Sequence, residues 1–471
     1  MLFCTADFRY TDKTINYRNS RWFHELFTFT YMLQQEFYNF CFQNNIQKMK
    51  IAFYLPNKFC ATNCTDIDSG NPGIGGTEYM IIAISYYLTI RENGHEIFLF
   101  AQNDNLLPEQ CNVKRVLNVR DALFKSKEEK IDCLVVQNSP ETNSLFNEEL
   151  GELKIVIWGH SFMSRKQWNL YARSSNVKRI VCVGHEELEL YCDHRAYHKS
   201  IVIYNAFPFP KSNDLLLTPN QDRKNEVTFL ASIVPHTNFH LLAKSWNKVV
   251  EEVPDAHLNV IGSGNLYNKS KKLGKYNIAA EEYENLFMPY LLDENDCILP
   301  SVTFWGKLGT EKYDILRRTK VGVANPGGYE TFCISAIEMQ LYGAKVVSRK
   351  KGGLLDTVYD QNNLFTHDED CADYIIKALK SKEYDYDKLH HFLIDNFSFD
   401  TVCHQWEDVL YEVEHDTKPI PLKTRSKQPT IYHRLRYLNR TIKSIVPFGY
   451  YWMPCCKFYE SVWNRLNNIF L

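Results

Sequence analysis

Residues 321–348 read VGVANPGGYETFCISAIEMQLYGAKVVS. A short β-branched run is followed by an Asn-Pro-Gly-Gly turn, a proline-free segment with helical character, a stopping glycine at Gly343 and a second β-branched run. Strand, loop, helix and strand in that order, with strands apolar on both faces, make a parallel crossover unit whose sheet must be covered on both sides. The same grammar repeats elsewhere in the chain. From Met49 onward KIAFYLP, a helix over about 77–92, HEIFLFA, IDCLVVQ, LKIVIWGH, VKRIVCVG and SIVIYNA form one series. EVTFLAS, a helix near 239–252, AHLNVIGSG, VTFWGK, KVGVANP and KVVS form a second. The predicted fold class is α/β, with two tandem Rossmann-like doubly wound domains over 49–205 and 206–396 whose facing strand ends enclose a ligand cleft. An amphipathic helix closes the chain's core at 397–416, and proline and basic residues then open a tail over 417–471.

The 471 residues, 45% of them apolar, suffice for more than one core. Residues 1–48 stand apart, with eight Phe, four Tyr and one Trp and no clean period. The Met-Lys at 49–50 opens the first strand, so 1–48 is expected to be an extension or not part of the native chain. A net charge of -2 hides an asymmetry, because the tail carries ten Lys/Arg against a single acid, Glu460. No apolar run reaches the 18 or so residues that a membrane span needs, and the N-terminus lacks the pattern of a signal peptide. The 14 cysteines are scattered through a large chain, which points to thiols in a reducing cytoplasm. The pairs Cys60/Cys64 and Cys455/Cys456 lack partners at zinc spacing, so no metal is assigned.

Two glutamates carry the chemistry of the 321–348 stretch. Glu330 precedes the helix and Glu338 lies two turns inside it, about 12 Å apart along the axis at the usual rise. Between them lie backbone N–H groups without intrahelical partners, which favour an anion. The arrangement suits a nucleotide sugar: Glu338 accepts from ribose hydroxyls, the amides near Thr331, Phe332, Cys333 and Ile334 face the diphosphate, and Glu330 reaches the sugar. Acids near a helix start also occur for helix stability alone.

The rest of the chain resembles glycosyltransferase family 4, the retaining transferases of GT-B fold, from about Met49 to Glu414. The glutamates resemble its E-x7-E element, and GIGGTE at 73–78 is similar to its N-terminal glycine loop, with Gly75, Gly76 and Thr77 at the turn. VIWGH, ending at His160, resembles the segment that carries its active-site histidine. HLNVIGSG, VTFWGKLG with Gly306 and Lys307, and KVGVANP then follow in the family's order, and Gly352 and Gly353 come after. The resemblance implies transfer of a hexose from a nucleotide-diphosphate sugar, with retained anomeric configuration and no metal or cofactor. His160 and Glu330 would act at the transferred sugar. His160 at a strand end reads equally well as a core residue. The glycines suit close approach to a phosphate or acceptor, or a plain turn.

The chain departs from the family at one point. An Arg and a Lys usually follow the first strand of the second domain, whereas FLASIVPHTNFHLL places Ser232 and Thr237 there. Lys307 and Lys312 are the expected substitutes, His236 less so. In the tail, Ile431, Leu435, Leu438, Ile442 and Ile445 share one helical face opposite Arg436, Arg440 and Lys443. That pattern predicts either packing on the protein or contact of 431–465 with an anionic membrane, which would fit a lipid-linked or glycan acceptor and a peripheral cytoplasmic enzyme of cell-surface polysaccharide or glycolipid synthesis. Alternatives are a non-catalytic nucleotide-sugar or glycan-binding relative and an NAD-dependent oxidoreductase, although the G-x-G-x-x-G register is absent. No nucleic-acid recognition module is present.

Overall fold

A computed structural model describes residues 48–91, 94–209, 219–265, 272–327, 330–417 and 431–470. Expectations for 1–47 lie outside the described residues, and the described residues from Met49 onward belong to one compact unit.

Seven strands form the first sheet: β1 (Lys50–Leu55), β2 (Glu96–Ala101), β3 (Asn112–Arg115), β4 (Cys133–Gln137), β5 (Lys154–Gly159), β6 (Val177–Cys182) and β7 (Ser200–Val202). They run parallel in the order β3-β2-β1-β4-β5-β6-β7. The second sheet holds β8 (Glu226–Leu230), β9 (His257–Ile261), β10 (Val302–Gly306), β11 (Val321–Ala324), β12 (Lys345–Arg349) and β13 (Leu364–Phe365) in the order β10-β9-β8-β11-β12-β13. Both orders reverse direction beside their first strand, the point at which an open α/β sheet leaves a crevice. β3 and β13 escape the sequence reading because they are edge strands. The residues of β3 are NVKR, too polar to stand out, and β13 is only two residues long.

The helices that frame the cleft and the tail are α1 (Gly76–Ile90), α2 (His185–Glu189), α3 (Phe239–Glu252), α4 (Lys312–Arg318), α5 (Ile334–Leu341), α6 (Leu354–Thr357), α7 (Phe399–Glu414), α8 (Ile431–Ile445) and α9 (Cys456–Phe470). α1 is buried almost all round, from Tyr79 to Leu88, because it lies between the first sheet and α7. α5 ends where expected, Gly343 taking φ +77 just beyond it. α7 crosses back to the first domain, where Trp406 meets Phe53 and Trp158 edge-on at centroid distances of 5.7 and 4.7 Å. One apolar cluster accordingly runs through β1, α1, α5 and α7, so the two sheets share a core beneath the cleft.

The tail packs on the protein, one of the two outcomes its pattern allows. α8 lays its polar side on the first domain: Lys443 Nζ donates to the Asp193 carbonyl at 2.7 Å, Tyr437 OH to Glu189 at 2.5 Å, and His433 stands 3.4 Å from Glu186. Arg436 pairs with Glu460 of α9 at 2.6 Å. Arg436 and Lys443 are thus turned inward, and Leu435, Leu438, Ile442 and Ile445 face solvent. Helix α9 was not foreseen. No helix among the described residues is long and apolar enough to cross a membrane.

Candidate functional site

The cleft lies where strand ends and helix starts of both domains converge, and encloses about 280 Å³. It is lined by His160 from the end of β5, by Gly76 and Thr77 at the start of α1, and by Thr331, Phe332, Cys333, Ile334 and Ser335 at the mouth of α5. Glu330 and Glu338 both line it, as do Lys307, Lys312 and His236. Gly75 and Gly306 do not. Gly75 is the N-cap of α1 and Gly306 holds its neighbour strand through a Gly262 N–H bond to its carbonyl, so both act at one remove.

Glu330 is set by Asn325, whose amide donates to the Glu330 carboxylate and to the His236 carbonyl. Burial raises the Glu330 carboxyl above its ordinary range, opposed by the Asn325 hydrogen bond and the nearby His236. Asn325 takes φ +35, a left-handed turn that asparagine tolerates, and it opens the Asn-Pro-Gly-Gly turn. Cys333 (φ +77) turns the chain into α5, whose first two amides, on Ile334 and Ser335, have no intrahelical partner.

That segment is clamped by glycines. A Cβ on Gly184 would stand 2.2 Å from the Thr331 carbonyl oxygen, and one on Gly353 would meet the same oxygen at 2.2 Å and the Thr331 carbonyl carbon at 2.4 Å. Gly352 packs equally tightly on Glu330. The side chain of Thr331 meanwhile crosses the cleft, its Oγ1 donating to the His160 carbonyl at 3.0 Å. His160 is fixed by its own N–H, which donates to Asn138 Oδ1 at 3.0 Å, and by the Trp158 ring at 4.5 Å. Its Nε2 is buried without a hydrogen-bond partner. Burial pushes its pKa down to about 3, so the imidazole is neutral.

The loop after β8 supplies no cation. Ser232 and Thr237 are buried, and the Thr237 hydroxyl is spent on the Ser232 and Val234 carbonyls at 2.7 and 2.8 Å, where it closes the turn ahead of α3. The two lysines differ. Lys312 is buried and its Nζ lies 2.7 Å from Glu338 Oε1 and 3.3 Å from the Asn71 carbonyl. Lys307 is exposed and makes no ion pair among the described residues. The glycine loop explains itself differently from the sequence reading: a Cβ on Gly76 would meet Ile334 Cδ1 at 2.4 Å, and one on Gly73 (φ +86) would meet the Leu308 carbonyl at 2.8 Å and Lys307 Cε at 3.1 Å. These glycines permit close approach of the two domains across the cleft.

Asn71, Asn138, Asn325 and the Lys312–Glu338 pairing went unread in the sequence. Asn71 and Asn325, each opening an Asn-Pro-Gly turn, carried a local signal. Among the described residues no His, Cys, Asp or Glu cluster is arranged to hold a metal ion.

Residues 218–394, which supply the second-domain half of this cleft, match the family model described as glycosyl transferases group 1. No curated protein is similar enough in sequence to match. Among solved structures, a glycosyltransferase from Rickettsia africae is 13% identical with a TM-score of 0.58, over 79% of this chain and 100% of its own. HepE from Anabaena, solved with UDP-glucose, is 14% identical with a TM-score of 0.55, over 77% and 100%. Sucrose-phosphate synthase from Thermosynechococcus elongatus is 14% identical with a TM-score of 0.56, over 79% and 100%. At such identities the likeness establishes the GT-B fold.

Proposed function

We propose that this chain is a retaining glycosyltransferase that moves a hexose from a nucleotide-diphosphate sugar to a hydroxyl acceptor without a metal ion. The observation that carries the reading is the open mouth of α5, flanked by Glu330 and Glu338 inside an interdomain cleft. The Ile334 and Ser335 amides would receive the diphosphate, a role helix starts perform without any charged side chain. Glu338, held by Lys312, would accept from the ribose hydroxyls, and Glu330, held by Asn325, from the sugar. The neutral His160 would contact the same sugar from the first domain.

The bond from the anomeric carbon to the diphosphate breaks as the acceptor oxygen bonds to that carbon on the same face. The acceptor's proton passes to the departing diphosphate. The protein's share is electrostatic: fixed dipoles and Lys307 stabilise the leaving group. The acceptor is proposed to be lipid-linked or a glycan, for cell-surface polysaccharide or glycolipid synthesis, with the enzyme at the cytoplasmic face of the membrane.

The loss of both cations after β8 favours a second reading, a relative that binds nucleotide sugars without turning them over. A thermal-shift panel of nucleoside diphosphates and their sugars, followed by anomer-resolved NMR of any product, separates the two. Stabilisation with an α-to-α product supports the enzyme. Stabilisation without turnover supports the binder, and no stabilisation by any nucleotide removes both.

A further inference from the structure

Helices α8 and α9 form a hairpin outside both sheets, and its amphipathic faces are used in an unexpected sense. The polar side is consumed by the protein: Lys443, Asn439 and the Cys456 amide all converge on Asp193 at 2.6–2.7 Å, and Arg440 lies over the Tyr197 ring at 4.3 Å. What remains in solvent is apolar. Leu435 is 48% exposed, Leu438 57%, Ile445 76%, Trp452 65% and Trp463 66%. Of the 21 exposed large hydrophobic side chains among the described residues, 11 fall between Tyr432 and Trp463. Seven of them, among them Leu435, Leu438, Ile442 and Trp463, line a groove of about 870 Å³ between the two helices. A contiguous exposed apolar face of this kind marks an interaction surface.

We propose that this face docks on a lipid bilayer, seating its leucines and isoleucines below the headgroups and its tryptophans among them. Charge decides between a bilayer and a second copy of the chain. The one acid on the hairpin, Glu460, is held by Arg436 and Lys457 at 2.6 and 2.7 Å, while Arg434 is exposed. In sequence, the residues just ahead of α8 add Lys418, Lys423, Arg425 and Lys427 without an acid. Two such faces brought together would oppose Arg434 to Arg434, with the one acid of each hairpin already paired. An anionic lipid surface supplies the missing sign.

The face is also tied to the cleft. His433 and Tyr437 rest on Glu186 and Glu189 of α2, and Gly184 at the start of α2 packs on Thr331 at the cleft floor. The hairpin is thus anchored through its polar side to the helix whose start packs on Thr331, and its apolar side is left free. This inference deepens the proposed lipid-linked acceptor and rests on that reading for its biological sense, not for its test.

The full chain is floated with phosphatidylcholine vesicles, with and without phosphatidylglycerol, at low and raised salt, beside the double variant Leu438→Asp/Trp463→Asp. Wild type is expected to float with vesicles, and the variant to lose at least about tenfold in partitioning. Raised salt should weaken binding to the phosphatidylglycerol vesicles by about fivefold for each cation engaged, the exposed Arg434 among them. Stabilisation by nucleotide, unchanged in the variant, shows that it remains folded. Absence of flotation overturns the proposal, as does a wild-type dimer in light scattering that the variant dissociates while vesicles go unbound. Flotation needs neither donor nor acceptor, so an inactive protein that floats counts against the transferase alone.

Discussion

Removing the charge of Lys307 while keeping its stem, as in Lys307→Met, should damage turnover far more than stability. Two lysines line the cleft, but Lys312 is committed to Glu338 at 2.7 Å in a buried pair. Lys307 is the exposed one, and its Cε rests near Gly73, within reach of the mouth of α5. A charge-assisted hydrogen bond to a phosphate contributes about 1.5–3 kcal/mol, which corresponds to about a 10- to 150-fold loss in kcat/KM. Solvent screening of an exposed side chain argues for the lower end, about tenfold, with recovery in Lys307→Arg. Methionine keeps the contact with the glycine loop, so the melting temperature should hold. The assay is steady-state donor hydrolysis or transfer at two salt concentrations. A kcat/KM for Lys307→Met within about threefold of wild type would refute the assignment of the leaving-group charge to this residue.

Three further outcomes are expected from the geometry. Gly353→Ala places a methyl group against the Thr331 carbonyl at 2.2 Å, and should cost about 3 kcal/mol in denaturant unfolding and weaken nucleotide stabilisation, whereas an unperturbed variant would show the clamp to be slack. Lys312→Met leaves Glu338 buried without its counter-charge and should cost about 3–5 kcal/mol, while Lys312→Met/Glu338→Met should regain most of that stability yet bind no nucleotide; a double variant as unstable as the single would contradict the pairing. Because burial pushes His160 down to about 3, the folded protein resists a proton that the unfolded chain accepts below about 6.5. Its contribution is therefore whole above that pH and fades as pH falls toward 3, so wild type should lose roughly 1–2 kcal/mol more than His160→Gln between about pH 7 and pH 5, and equal losses would show His160 to be solvated.

How far the site was legible depends on the range of the interaction. The strand–helix alternation, the stop at Gly343 and the position of the glutamates on either side of a helix start are local properties, and periodicity reveals them. Ser232 and Thr237 were equally visible as missing cations. The Lys312–Glu338 pair joins residues 26 positions apart in sequence, and the clamp of Gly184 and Gly353 on Thr331 joins three separate segments. Neither leaves a local trace. Composition announces only that something comes close to the glycine loop or that it turns; that Leu308 and Ile334 from the other domain pack on it has no local trace. The amphipathic stripe of α8 was plain, but periodicity carries no information on which face turns inward. That choice was made by Glu186, Glu189 and Asp193, more than 240 residues away.

A crystal structure of the protein with a nucleoside diphosphate bound tests the central claim most directly. The diphosphate is expected within hydrogen-bond distance of the Ile334 and Ser335 amides and of Lys307, with the ribose hydroxyls on Glu338. Nucleotide seated anywhere else, or Glu338 left untouched by a bound nucleotide, would contradict it.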